Sequence, residues 1–576
     1  MYHIKLTRYL LVVFLLLIFI TEGTGMRFGN IFAFHLVLSL PLFLILCNLV
    51  TTENKTNKLK ILVPIPQSLL FCFFILGSIL STFYSLDIQK SFEQTLIYSA
   101  FFLIYILTYN VKSSILKPFS FLSFALSAFF IVFSIYLATL PEEALFRMKP
   151  WENFQYIYSY FRTSHPLGAI MIFPVSLCIP FVFNNNRYRK LFTATFIGSL
   201  IVLLFTFMRS SLVAVGVSLA IYALIRVSQV KFRRSAGILL LISSVLIVIV
   251  TGLSVHNKTS YVFQQINPFG LTLEHKDIFQ SRLEYFRQAI IGFSNHPIIG
   301  NGPNTFDIVS RTYSYGLRLT DISAHNLILD VLSDTGLFGM FFIAFILFVL
   351  APRIYDLRKE NSLQIQGLIL TGASVFILYQ AFRFHRYTSH VLYFILVLAL
   401  ITKAKNHWEV SKKYIVITSV ILFLASQSIF LSTITLKMGN KNIAALLYPL
   451  NKSAYATDEI LTTNTNMPAE QINLYSRLVE NDYYKQHEIG RYYLSQEKKQ
   501  LALLHLKKSY ALYPMQIFPK TVELYELIEQ VEGRKSAIAF FTSYLDYYNQ
   551  AVTAIPNNIR YDDGIKALCE KQHLSC

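Results

Sequence analysis

The sequence predicts an all-α protein: a polytopic transmembrane helical bundle of about thirteen spans followed by a soluble helical domain. Three observations carry that prediction. Hydrophobic residues make up 54% of the 576-residue chain and charged residues only 14%, where a soluble domain carries about 25% charged residues. Mean hydropathy is +0.48, and so large an apolar surplus cannot be hidden in one soluble core. That excludes a soluble enzyme, a disordered chain and a disulfide-stapled secreted module. Apolar runs long enough to cross a bilayer core of about 30 Å as helices recur along the chain. Near residue 436 they stop, and polar helical sequence takes over.

The runs centre on residues 9–21, 30–50, 62–84, 94–109, 119–140, 166–183, 191–208, 211–226, 236–254, 326–350, 364–382, 388–402 and 414–435. The first follows Lys5 and Arg8 but lacks a small-residue cleavage site, so an uncleaved helix is expected. Cations gather in alternate connections: Lys55, Lys58 and Lys60; Lys112 and Lys117; Arg187, Arg189 and Lys190; Arg226, Lys231, Arg233 and Arg234. The pattern continues with Arg353, Arg358 and Lys359, then Lys403, Lys405, Lys412 and Lys413. The short loops between hold only Arg27, Lys90 and Arg386. Lys and Arg collect on the cytoplasmic side of a membrane. The net charge of +19 is therefore mostly topological, and no nucleic-acid partner is expected. The expected orientation has the N-terminus in the cytoplasm and the C-terminal domain on the far side of the membrane.

Residues 1–436 form the expected membrane unit, with long external loops at about 141–165 and 255–325, and residues 437–576 form the tail domain. Within the tail, Tyr483 to Pro514 has a Gly-x-x-Tyr, a later Ala and a closing Pro, resembling a tetratricopeptide repeat. A weaker copy runs from Lys520 to Pro556. A plain helical bundle is the competing reading; either surface could bind a peptide or protein partner. Cys47, Cys72 and Cys178 read as buried hydrophobes, whereas Cys569 and Cys576 could pair in an oxidising compartment.

Ionisable residues at membrane depth are costly and mark candidate sites. Arg209 stands between two apolar runs at the external face, either snorkelling to head groups or gripping a phosphate. Arg383, with His385, Arg386 and His390 nearby, could build an anion site or anchor the interface. In the large loop an amphipathic helix begins near Arg282, carries Arg287, and is stopped by His296-Pro297. Gly300-Asn301-Gly302-Pro303 then makes a tight turn, which could bring amides to a phosphate but is explained by turn geometry alone. His325, at the mouth of the tenth span, either caps a helix or takes a proton from an attacking hydroxyl. Asp330 and Asp334 lie further along that span, and Asp334 needs a partner, an arginine being the natural one.

The run from Arg282 through His296-Pro297, Gly300-Asn301-Gly302 and Phe306 to His325-Asn326, Asp334-Thr335-Gly336-Leu337 and Gly339 resembles the signature region of the O-antigen ligase and polymerase superfamily. That superfamily includes bacterial protein O-oligosaccharyltransferases. Arg209-Ser210 and the Tyr160-to-Pro166 segment fit it too. The resemblance implies a metal-independent glycosyltransferase without a cofactor, whose donor is a glycan on undecaprenyl pyrophosphate, working at the periplasmic face. It implies that Arg209 and Arg282 hold the pyrophosphate, with Arg162, Arg287 and Arg383 as further donor-binding candidates, and that His325 orients or deprotonates the acceptor. The expected acceptor is lipid A–core; the alternatives are a protein, as in an O-oligosaccharyltransferase, or a growing glycan, as in a repeat-unit polymerase. A transporter or flippase would instead place its key charges near mid-bilayer. Asp334 stands where family members often carry Glu.

Overall fold

The computed structural model describes residues 18, 27–52, 60–139, 164–184, 186–205, 209–227, 276–315, 320–380, 388–455, 469–514, 518–554, 565 and 569–570. Among them the chain is mostly helical, with few strand residues. Among the described residues four helices are long and apolar enough to cross a membrane: Ile65–Phe83, Ile88–Lys112, Leu327–Asp356 and Lys412–Lys437. Shorter apolar helices are Ala33–Leu46, Gly168–Phe183, Ser210–Ile225, Leu363–Tyr379 and Thr388–Ile401. The expected spans at 9–21 (apart from Ile18) and 236–254, and most of the loop at 141–165, lie outside the described residues.

Two expectations about the spans change. The runs at 94–109 and 119–140 belong to one continuous helix, Ile88–Thr139, with no turn at Lys112–Lys117. No glycine lies between the runs, and Pro118 alone does not stop the helix. The tenth span is interrupted. Leu327–Thr335 ends at Gly336, a short 3-10 turn covers Gly336–Phe338, and Gly339–Asp356 resumes the helix. Gly336 has φ +61°, and a Cβ there would stand 2.4 Å from the Ile298 carbonyl oxygen, so both the backbone and the space require glycine.

Thr388–Ile401 is short for a span at 14 residues, but Ser389 to Ile401 are all buried. A helix apolar all round is one surrounded by others. Polar contacts inside the bundle fix how its neighbours run. Ser374 bonds Ser176 (2.8 Å) and Ser218, and Tyr222 meets Gln366 at 3.5 Å. The helix Arg209–Val227 is therefore antiparallel to Leu363–Tyr379, and its Arg209 end lies beside Tyr379 and Gln380. Hydroxyl bonds of this kind between helices are favoured where no water competes.

The bundle thus has two ends. At one, Lys60–Pro64 and His407–Ser411 pair as an antiparallel two-stranded sheet, Lys60 opposite Ser411 and Pro64 opposite His407. This joins two connections that the charge pattern assigns to the same side. At the other end the Ser85–Ser91 connection, the loop residues 276–315 and the tail come together. Lys90 pairs with Asp307 (2.7 Å), Lys452 with Asp87 (2.7 Å), and Asn481 Nδ2 donates to the Leu86 carbonyl (2.7 Å).

The tail folds as two helical hairpins, Tyr483–Ser495 with Lys499–Leu512, and Phe518–Glu532 with Arg534–Ala554, over their own apolar core. Asp482 caps the first helix, its Oδ1 accepting from the Tyr484 and Lys485 amides at 3.1 Å. Cys72 and Cys178 are free thiols, whereas Cys569 is buried and disulfide-bonded. Cys576 lies outside the described residues.

Candidate functional site

The loop helix, Lys276–Asn295, divides its side chains between two tasks. One face carries Tyr285 and Ala289, which pack with Phe306, Val309 and Ala324 in a small core of their own. The other carries Glu284, Arg287 and Gln288. Glu284 is buried and accepts from Arg287 Nε (2.7 Å) and Nη2 (2.5 Å), from Gln288 Nε2 (3.0 Å) and from the Tyr315 amide (3.2 Å). Arg287 also donates to the Tyr313 carbonyl and lies 3.8 Å over the Tyr315 ring. Burial opposes its charge, but the Glu284 hydrogen bonds and carboxylate outweigh that and hold the guanidinium above its ordinary value. Arg287 is thus engaged within the loop.

Arg282 is placed differently. It is half-buried, burial pushes its guanidinium below the ordinary value, and among the described residues no carboxylate pairs with it. It stands one turn before Tyr285, whose ring stacks on His325 with centroids 5.5 Å apart and planes 19° apart. Residues three apart on a helix are neighbours, about 5–6 Å between Cβ atoms. Arg282 and Tyr285 are therefore neighbours on the helix surface.

His325 itself is held tightly. Its backbone is left-handed (φ +58°), unusual for a residue with a Cβ. Its amide donates to Ser323 Oγ (2.9 Å), and Ser323 Oγ–H donates to Asp330 Oδ2 (2.6 Å). Asp330 Oδ1 accepts the Ala324 amide at 2.9 Å, so this carboxylate braces the turn that presents the histidine. Asp321 Oδ2 lies 3.2 Å from His325 Nε2. Asn326 caps the following half-helix, accepting from the Leu329 amide (3.1 Å), and its Nδ2 donates to the Gln380 carbonyl (3.1 Å).

That last bond ties the histidine's turn to the end of the bundle where Arg209 begins its helix. The side chain of Arg209 and all of Arg162 and Arg383 lie outside the described residues. The helices that begin at Ser164 and Thr388 start at this same end, as the Ser176–Ser374 bond and the Phe173 ring stacked on Tyr393 at 3.9 Å require. His390, grouped with Arg383 in the sequence, is buried inside the bundle near Phe173.

The glycine turn serves the fold. The Gly300 amide donates to the His296 carbonyl (2.8 Å), that of Asn301 to Ser333 (3.0 Å) and that of Gly302 to Asp334 (2.8 Å), leaving none of the three for a phosphate. Asn301 Nδ2 bridges the Gly292 and Ser333 carbonyls at 3.0 and 2.9 Å, stitching the loop helix to the half-helix. Asp334 Oδ2 accepts the Asn304 amide at 2.9 Å, so a backbone donor serves this oxygen of the carboxylate.

Tyr285, Glu284 and Asp321 were not singled out by the sequence reading. Asp321 stands four residues before His325, a spacing that could have flagged it; the role of Tyr285 depends on a contact 40 residues distant and had no such signal.

No curated protein matches the chain significantly. Residues 194–344 match the family model described as O-antigen ligase, a stretch that runs from the helix before Arg209 through Arg282, the glycine turn and His325 into the interrupted span. Over that stretch the chain is similar to the O-antigen ligase family, in keeping with the signature motifs read from Arg282 to Gly339.

Proposed function

We propose that the chain is a glycosyltransferase that moves a glycan from undecaprenyl pyrophosphate to lipid A–core at the periplasmic face of the inner membrane. The observation that carries this reading is Arg282: a half-buried guanidinium with no carboxylate partner among the described residues, one helical turn from the tyrosine stacked on His325. An arginine's planar fork of donors suits a phosphate. Arg209, whose helix points its N-terminal dipole the same way, completes the grip, with Arg162 and Arg383 beside the helices that start at that end. Arg287 supports from behind by holding the loop.

The acceptor hydroxyl attacks the anomeric carbon; the new C–O bond forms as the bond from that carbon to the pyrophosphate oxygen breaks. His325 takes the hydroxyl proton, with Asp321 and Tyr285 fixing its ring. Pyrophosphate is a good leaving group, so fixed positive charge and positioning supply most of what the reaction needs, and no metal is required. In this reading the membrane unit has a cytoplasmic N-terminus. The tail is a periplasmic, tetratricopeptide-like domain, a compartment that suits the disulfide at Cys569.

A second reading, transfer to a protein acceptor, is favoured by two contacts of the tail. The hairpin tail docks on the loop that carries the site, with Tyr547 Oη–H donating to the Ser314 carbonyl (2.8 Å) and Thr312 Oγ1 to that of Leu512 (3.3 Å).

The test is a glycan-stained gel of lipopolysaccharide from a strain lacking this gene. The expected result is bare lipid A–core with accumulated lipid-linked glycan, restored by the intact gene. His325→Ala should fail to restore it, with transfer in membranes down by ~100-fold or more. Core carrying one repeat would identify a polymerase. An unchanged ladder, with glycoproteins lost, would identify the protein acceptor.

A further inference from the structure

The end of the bundle that carries the two-stranded sheet holds a cation cluster for which the transfer reaction has no use. Three different segments supply it. Lys112 ends the span Ile88–Lys112, Arg353 lies in the last turn of Gly339–Asp356, and Lys403 follows Thr388–Ile401. The Arg353 side chain is only 4% exposed. Its Nη2 donates to Glu360 Oε2 at 3.0 Å, but its Nε and Nη1 are buried with no hydrogen-bond partner among the described residues. Lys403 Nζ approaches the same Glu360 oxygen at 3.8 Å and is 61% exposed. Lys112 Nζ meets the Thr402 carbonyl at 3.4 Å and the Tyr109 ring at 4.8 Å, and among the described residues no carboxylate pairs with it. It also lies within electrostatic reach of both Arg353 and Lys403.

Among the described residues one carboxylate, Glu360, therefore stands against three cations and pairs with only two of them. Ordinary topological lysines stand in water on loops and repel one another little. Here an arginine with two unmet donors is taken out of water, which is costly unless an anion completes the set. Basic pockets between helices at a membrane face are suited to lipid phosphates. The two lysines are the accessible members, and the arginine behind them supplies the unbalanced charge.

We propose that Lys112, Lys403 and Arg353 form a site for a phosphate group, carried by an anionic phospholipid headgroup, at the end of the bundle opposite His325. The site stands apart from the transfer reaction and does not depend on which acceptor is used.

The test is native mass spectrometry of the full chain in micelles holding equal phosphatidylglycerol and phosphatidylcholine. Phosphatidylglycerol should remain bound in excess. The paired change Lys112→Ala with Lys403→Ala should reduce that excess by roughly 10-fold, while Arg358→Ala with Lys359→Ala should keep it. Both pairs should retain glycan transfer, which reports that the variants fold. Displacement of the lipid by millimolar inorganic phosphate, with equal heat protection lost in the Lys112 and Lys403 pair, would assign the site to free phosphate. Equal binding of the two lipids, or a phosphatidylglycerol excess that survives the Lys112 and Lys403 changes, would overturn the proposal.

Discussion

Arg282 and Arg287 lie on one helix, five residues apart, and the structure uses them in opposite ways. Arg287 is met by a buried carboxylate, a carbonyl and an aromatic ring. Arg282, at the same helix's other face, has no carboxylate among the described residues. The two ends of the bundle repeat the contrast. Around His325 the carboxylates of Asp330 and Asp334 accept backbone amides, and the glycine turn consumes its own. At the opposite end Arg353 is left with two donors unmet. Polar groups satisfied from within hold the fold; a cation left unsatisfied is where a ligand's charge belongs.

That contrast can be broken directly. Arg282→Ala should lower glycan transfer by ~100-fold or more while leaving thermal unfolding unchanged, because its donors act only on the donor's developing charge. Arg282→Lys should restore little, since a point charge lacks the bidentate fork. If Arg282→Ala instead destabilises the protein and Glu284→Gln does not, the division of labour on this helix is reversed.

Gly300→Ala tests the structural side. Its φ is +71°, and a Cβ would stand 2.5 Å from the Asp334 backbone. A loss of about 2–4 kcal/mol is expected, read as faster proteolysis of the loop and a lower unfolding midpoint. Glu284→Gln should cost about 1–3 kcal/mol by leaving Arg287 without its counter-ion, with transfer falling only as far as the loop loosens.

The tail offers a pH test of a different buried polar group. His505 Nδ1–H donates to Gln486 Oε1 at 2.7 Å, and burial, with Lys508 nearby, lowers its pKa from 6.5 to about 4. A depressed histidine is neutral when folded, so the unfolded chain binds the proton more readily. Its contribution is present above about pH 6.5 and is lost as pH falls toward 4. Hydrogen exchange in the Lys499–Leu512 helix should therefore quicken on acidification, and His505→Gln should flatten that dependence. The smallest expected effect is Tyr547→Phe, which removes one hydrogen bond to the Ser314 carbonyl and should loosen the tail from the loop by about 0.5–1.5 kcal/mol.

Much of this was legible in the sequence because it depends on composition and local spacing. Apolar surplus points to a membrane protein, and two of the connections that the cations group together, at Lys60–Pro64 and His407–Ser411, do pair as strands. The hairpin boundaries near Tyr483 and Pro514 follow from a cap and a breaker. The glycine turn reads as a turn from its residues alone. The interruption at Gly336 did not, because an apolar run looks the same whether or not a distant carbonyl lies against it. Nor did the unbroken course of Ile88–Thr139, where the sequence's cations suggested a turn.

What the sequence by itself determined is the class of protein and the short roll of residues fit for phosphate and proton chemistry. Only the tertiary structure decided which of those residues are already satisfied. Arg282 and Arg287 are indistinguishable as letters, since charge is a property of the residue. Whether that charge is answered depends on Glu284, Tyr313 and Tyr315 arriving from elsewhere along the helix and loop. The stacking of Tyr285 on His325 likewise joins two positions that no local rule connects.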